Sequence, residues 1–268
     1  DLGRRQLQLQ QVSQSYADLL DRRLLWTPDM APVGRDWPRA WSTAFDLVLR
    51  PARWAELPAA LVQALATRPA LASALLFPLL LVGARGRLAR QEQIDAMRLT
   101  DVHRDSAWLT ARALLFAALR AAPWSLTLAL LGHLLAAGAA EGSFADAVGA
   151  ALSAIAPWVF VLAFVGQIAR RGGVLDLHYQ WHTESRQVLR RQIARLRLVA
   201  VPAGMLVVVC ERLGQPAVRA SLGRFAFVVF SLVLAAFVWR TLHPRRGAAA
   251  AYLNARPASR LARWRRLW

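Results

Sequence analysis

The chain has 268 residues, 56% of them hydrophobic, and a formal net charge of +18. All 34 basic residues are arginine. A soluble nucleic-acid binder of this basicity would spread its arginines over one surface of a mostly polar chain; here they flank apolar runs too long for ordinary core helices, and no nucleic-acid partner is called for. The single Cys210 lies inside an apolar run and cannot form an internal disulfide.

Residues 1–23 are polar and glutamine-rich, with Leu2, Leu7, Leu9, Val12, Tyr16, Leu19 and Leu20 at spacings that predict the end of an amphipathic or coiled helix. The chain opens at Asp1 with neither a methionine nor a charged-then-apolar leader, so any targeting signal is expected upstream, and the chain reads as a piece of something longer. Pro28, Pro32 and Gly34 then end any helix. Trp26, Trp37, Trp41 and Trp54 follow at intervals. Tryptophan favours the headgroup region, because its ring is apolar and its N–H polar, so 36–66 reads as an amphipathic segment lying on a membrane. A small soluble subdomain packed around the same tryptophans fits equally well.

Five apolar runs follow, over 69–84, 113–140, 146–169, 198–213 and 225–242. A span needs about 20 apolar residues. Uncharged stretches reach 20 in the second run and 23 in the third, but 16, 13 and 15 in the first, fourth and fifth. Those three cross only if flanking arginines extend to the interfaces. The connections over 85–106, 170–197 and 243–268 carry five, seven and seven arginines, whereas 138–145 carries none. Short arginine-rich loops resist translocation, so the heavy connections are read as cytoplasmic. Runs four and five must both span or both fail, and the first run alone decides the side of the N-terminus.

Pro78, Pro123, Pro157 and Pro202 mark four of the runs, and Gly172-Gly173 is expected to end the third helix. These six positions are candidate hinges, since proline deletes a backbone donor and glycine admits a left-handed cap. In the connection that follows, Tyr179 and Trp181 read as interfacial anchors. Arg170 and Arg171, with the basic run Arg186, Arg190, Arg191, Arg195 and Arg197 that leads into the fourth helix, read as contacts to anionic headgroups. His178 and His182 lie four apart, as two metal ligands on one helix face would, but no further histidine or cysteine cluster completes a site. His133 and Arg120 are the ionisable groups within the second run; a neutral His133 bonded to a backbone carbonyl is the expected arrangement. No nucleophile–base pair, paired intramembrane carboxylates, phosphate loop or dinucleotide fingerprint is present. No enzyme activity, cofactor or metal is expected.

Several short stretches in a fixed order resemble the inner-membrane domain 1 region of the large multi-helix bacterial mechanosensitive channels, the potassium-dependent branch of the small-conductance mechanosensitive channel family. They are Leu24-Leu25-Trp26-Thr27-Pro28 with Pro32-Val33-Gly34; Arg104-Asp105-Ser106 leading into Leu114-Leu115 and Leu130-Leu131-Gly132; Gly172-Gly173 before His178-Tyr179-Gln180-Trp181; Leu222-Gly223-Arg224-Phe225-Ala226-Phe227; and Arg265-Arg266-Leu267-Trp268. Tyr179 stands where the family pattern has phenylalanine. The resemblance implies a bacterial inner-membrane protein with a periplasmic N-terminus and a cytoplasmic C-terminus. It also implies a pore helix and cytoplasmic vestibule lying outside this chain, assembled as a heptamer.

The fold class expected is all-α: a polytopic transmembrane bundle of about five spanning helices after an N-terminal amphipathic or coiled segment. Residues 1–66 are assigned to the end of a periplasmic helical region plus the interfacial segment, 67–242 to the transmembrane domain and 243–268 to a basic cytoplasmic connector. The function expected is the peripheral tension-sensing part of a channel that releases solutes on hypo-osmotic shock, with anionic lipids as partners. A transporter or membrane-embedded enzyme subunit with passive scaffold helices is the alternative.

Overall fold

The computed structural model describes residues 37–98, 107–177, 179, 181–243, 247–248 and 250. The helix expected over 1–23, the turn after it, His178 and the end of the basic connector lie outside the described residues. Every described element is helical. In chain order they are α1 (Trp37–Leu49), α2 (Pro51–Trp54), α3 (Glu56–Thr67), α4 (Pro69–Ala74), α5 (Leu76–Arg98), α6 (Ala107–Gly138), α7 (Phe144–Ile168), α8 (Val174–Leu177), α9 (Thr183–Arg212), α10 (Pro216–Val218) and α11 (Arg224–Leu242), with a π-helical turn over Arg219–Gly223.

Among the described residues, five helical stretches are long and apolar enough to cross a membrane: Pro69–Glu92, Trp108–Gly138, Phe144–Ile168, Thr183–Arg212 and Pro216–Leu242. The three runs that looked short therefore sit in helices of 24, 30 and 27 residues. They gain length because arginine is a good helix former, so flanking charge continues a helix instead of ending it. The stretch 186–197, expected as a connection into the fourth helix, is itself inside α9. There Leu189, Ile193, Leu196 and Ala200, spaced by four, three and four, form a buried stripe.

Neighbours in sequence are neighbours in space: α6 packs on α5 and most extensively on α7, α7 on α9, and α9 on α11. Lipid is as apolar as leucine, so such helices are held by close backbone approach at small residues. α6 and α7 cross where Gly132 and Gly149 face each other; a Cβ on Gly132 would lie 2.6 Å from the Gly149 carbonyl, and one on Gly149 would lie 2.7 Å from the Gly132 carbonyl. At the end of α6, a Cβ on Gly138 would overlap the Ala60 carbonyl of α3 at 2.0 Å. The tight turn between α6 and α7 is closed by Ser143, which caps α7 by accepting from the Asp146 N–H at 3.2 Å, while the Asp146 carboxylate accepts from the Gly142 N–H at 3.3 Å.

The tryptophan-bearing segment lies against this same end of the bundle. Trp37, Trp41, Ala44 and Val48 recur at helical spacing on α1, and Ala44 and Val48 are buried with Cys210, Val218 and Leu222. The Trp41 ring meets Phe225 at 5.4 Å between centroids, and Trp54 meets Phe144 at 5.2 Å. Both tryptophans dock on the membrane helices and do not form a core of their own. Ser221, in the π turn, donates back to the Ala217 carbonyl at 2.6 Å, and its oxygen lies 3.2 Å from the Ala40 carbonyl of α1.

Among the prolines, Pro78 coincides with a break: α4 stops at Ala74, and Leu75 donates to Ala72 in a tighter turn. The cause is the missing Pro78 N–H, which leaves the Ala74 carbonyl without its usual partner. Pro123, Pro157 and Pro202 lie inside α6, α7 and α9, which run through them.

Gly149→Leu is expected to lower the detergent thermal midpoint of the purified protein by separating α6 from α7, at a cost of about 2–3 kcal/mol. Gly83→Ala, on α5 where a Cβ meets nothing within 4 Å, leaves the midpoint unchanged or slightly raised.

Candidate functional site

The other end of the bundle gathers the charge. α5 brings Glu92, α6 brings Arg120, and the turn after α7 brings Arg170. Glu92 is 6% exposed. Its Oε2 accepts from the Arg120 guanidinium at 3.1 Å and also from Arg170, so one carboxylate serves two cations, one on α6 and one in the turn after α7. Arg85 adds a 3.5 Å contact from α5 to the Arg120 carbonyl. From Arg120 to Gly138, α6 covers about 27 Å at 1.5 Å per residue, close to the thickness of a hydrocarbon core. The Glu92 cluster and the Gly138 end of α6 are thus separated by about the thickness of a hydrocarbon core.

A second cluster adjoins it. α7 stops at Ile168, and Gly172, with φ of +72°, turns the chain in the left-handed region that glycine alone adopts without strain. Its N–H donates to Asp176 Oδ2 at 2.7 Å. The other oxygen of Asp176 pairs with Arg186 at 2.7 Å. Arg186 is 5% exposed and every nitrogen of its fork is used: Nε donates to the Trp181 carbonyl at 3.0 Å, one terminal nitrogen to the Arg170 carbonyl at 3.3 Å, and the other to Thr183 Oγ1 at 3.3 Å besides Asp176. Arg186 therefore fastens the connector to the first turn of α9 and, through the Arg170 backbone, to the Glu92 cluster.

The expected site residues divide accordingly. Arg170 is drawn into the Glu92 ion cluster. Arg171, Arg190, Arg191 and Arg195 remain exposed along the turn and α9. The two aromatic residues part company: Tyr179 is exposed, whereas Trp181 packs inward with Ala169, Leu189 and Ile193. Gly173 is buried behind the turn. Glu92 and Asp176 were not singled out from sequence, and Arg186, expected with the basic run at headgroups, is instead buried in this cluster. Sequence offers little to pick them out, since Glu92 shares its arginine-rich stretch with Asp95, Asp101 and Asp105, and Asp176 shares its own with Glu184. Among the described residues no group of three potential metal ligands comes together. His133 Nδ1 lies 2.8 Å from Ser153 Oγ across the α6–α7 crossing. Its partner is thus a hydroxyl and not the expected backbone carbonyl, because Gly132 and Gly149 bring the two helices close enough for side chains to meet.

The family model described as mechanosensitive ion channel inner membrane domain 1 matches residues 69–268, which take in all five apolar helices. The chain belongs to this family. It is similar to the miniconductance mechanosensitive channel MscM of Escherichia coli K12, 26% identical over 252 residues that cover 92% of this chain and 22% of that protein. It is similar also to the mechanosensitive channel MscK of the same organism, 26% identical over 240 residues, 87% of this chain and 21% of that protein. The chain thus spans about a fifth of the length of these relatives, and equal identity to the two assigns it to the family and to neither branch. No solved structure matches it. As an inner membrane domain with five apolar helices, it is a multi-pass segment of the inner membrane.

Within this domain, Glu92→Gln leaves Arg120 and Arg170 without their shared carboxylate. The variant is expected to lose about 3 kcal/mol of stability, seen as a lowered thermal midpoint in detergent. Glu184→Gln, which removes an exposed carboxylate in the first turn of α9, leaves the midpoint unchanged.

Proposed function

We propose that this chain is the peripheral, tension-sensing part of a mechanosensitive channel that releases solutes on hypo-osmotic shock. The observation that carries the reading is the outward face of the first span: only 6% of its most apolar stretch is buried, against 39% in the fourth. Leu76, Phe77, Leu79 and Leu80, flanking Pro78, are more than half exposed and present to lipid the one span that is broken at a proline. Tension thins and spreads a bilayer, favouring states of larger in-plane area or shorter hydrophobic height. A loosely held, interrupted helix on the rim responds first, and the Glu92 and Arg186 clusters carry its tilt to α6, α7 and α9.

In this reading the N-terminus is periplasmic and the C-terminus cytoplasmic, so the arginine-rich end meets the inner leaflet, as the charge asymmetry between the two ends favours. Residues 67–242 act as the membrane unit, with 1–66 as its periplasmic approach and 243–268 as the connector onward. Arg171, Arg190, Arg191, Arg195 and Tyr179 contact anionic headgroups, and Trp181 holds the connector to α9. Pro78 and Gly172 are the hinges best supported by geometry, Gly173, Pro123, Pro157 and Pro202 being shape-setting positions. Self-association as a heptamer runs through a pore region outside this segment, and the chain carries no catalysis. The transporter or enzyme alternative requires polar groups converging at depth; of its two candidates, His133 pairs with Ser153 and Arg120 with Glu92, and the two do not meet in one site.

Arg190→Gln with Arg191→Gln in the full-length channel is expected to raise the opening tension in patch recordings by weakening the grip of the inner leaflet on α9. An unchanged threshold with normal channel density contradicts the proposal.

A further inference from the structure

Between α9 and α11 the chain winds through Arg219–Gly223 as a π turn, in which the Arg224 N–H reaches the Arg219 carbonyl five residues back. Winding of this kind is rare, holds one residue more than an α-helical path, and is kept where neighbouring groups favour it. Here they do so from two sides. On α9, the Glu211 carboxylate accepts from Nε and a terminal nitrogen of Arg219, each at 2.9 Å, and Cys210 faces Gly223 so closely that a Cβ there would lie 3.1 Å from its own. On α1, Ala44 and Val48 close over Val218 and Leu222, and the fully buried Ser221 lies 3.2 Å from the Ala40 carbonyl.

The seat of α1 is incomplete. The indole N–H groups of Trp37 and Trp41 are buried without an acceptor. A buried donor left unpaired opposes the burial that created it, and both would find water or headgroup oxygens if α1 lifted away. α11, for its part, is free to respond. Ala226 is its one buried residue over Arg224–Leu242, and from Phe225 to Trp239 its one polar side chain is Ser231. A helix apolar on all sides turns in lipid without bringing a polar face into hydrocarbon.

We propose that the π turn is a register switch set by α1. While α1 is seated, the wide turn persists and α11 keeps the rotation seen here. When α1 lifts, Ser221 and Leu222 lose their cover and the turn tightens to α-helical winding, its Arg219 end still fixed on Glu211. α11 then turns by one residue, about 100°, and advances about 1.5 Å toward the charged end. The segment that precedes the membrane helices thereby sets the rotation of the last of them. This goes beyond tension sensing, since it gives the N-terminal approach a route to the connector after α11.

Cross-linking in native membranes reads the rotation directly. A Cβ on Gly204 of α9 would lie 3.6 Å from the Phe230 ring. In the full-length protein carrying Cys210→Ser, a short bis-methanethiosulfonate reagent is therefore expected to join Gly204→Cys to Phe230→Cys faster than to Val229→Cys, read by peptide mass spectrometry. Ala44→Leu, which overfills the seat of α1, should reverse that order, because the turned α11 brings residue 229 to the place of 230. Trp41→Ala, which removes the ring on Phe225 and leaves Ala44 in place, should do the same and serves if Ala44→Leu does not accumulate. Leu49→Ala, on the exposed side of α1, should change nothing. Deleting Ala220 gives the turn α-helical length with α11 in its present rotation, so added to either α1 variant it should put Phe230→Cys first again. No preference for Phe230→Cys in the parent, an order unchanged in the α1 variants, or a reversal that survives the deletion overturns the proposal. The readout needs no tension, so it fails or holds separately from the opening threshold of the Arg190 and Arg191 variant.

Discussion

Glu92 is a single buried carboxylate facing two guanidiniums, and the charged end of the bundle is organised around it. A chain of +18 that folds beside a membrane must place its arginines where their heads reach water or phosphate, and it must do so at the ends of helices that pack together. Five helix ends lie toward it, each bearing arginine within a few residues. Without a counter-charge they would splay. Glu92 ties α5 to α6 and to the end of α7, and Arg186, through Asp176 and the backbone of Arg170, carries the tie on to α9. A pair of this kind contributes little as net stability but strongly penalises any arrangement that separates it. It acts as a register pin.

The two ends of the molecule are built on different physics. At the uncharged end the contacts are steric: Gly132 against Gly149, and Gly138 against Ala60, bring backbones together at distances that any side chain would prevent. Such contacts are short-ranged and lost with small displacements. At the charged end the contacts are ionic, longer-ranged, and shared among arginines that can exchange partners. On the proposed function, this difference favours a pivot about the steric end over a translation, with the broken first span on the rim as its lever.

The five spans, the location of the arginines and the Gly172 turn were legible in sequence because each follows from a local rule: apolar length, loop charge, and the need for a left-handed residue. Helix limits were less so. The stretch from Thr183 to Arg197 reads as a polar connector by charge, yet Leu189, Ile193 and Leu196 already carry the period that buries it. Counting charge hid a pattern that counting spacing would have found. Glu92 was illegible for another reason. Its meaning depends on Arg120 and Arg170, which are 28 and 78 residues away, and only the packing of α5 on α6 and α7 brings them together. The π turn at Arg219–Gly223 is likewise a product of docking, with Ser221 held between its own helix and α1.

The central claim is that the Glu92 end and the Gly142 end lie on opposite faces of the inner membrane, the first one cytoplasmic. Cysteine labelling with a membrane-impermeant maleimide tests this most directly, in a Cys210→Ser background, with Glu141→Cys at the short α6–α7 turn and Tyr179→Cys in the arginine-rich connector. In intact spheroplasts the account predicts labelling at position 141 and none at 179 until the membrane is permeabilised. Labelling of both positions in intact spheroplasts, or of 179 alone, would contradict it.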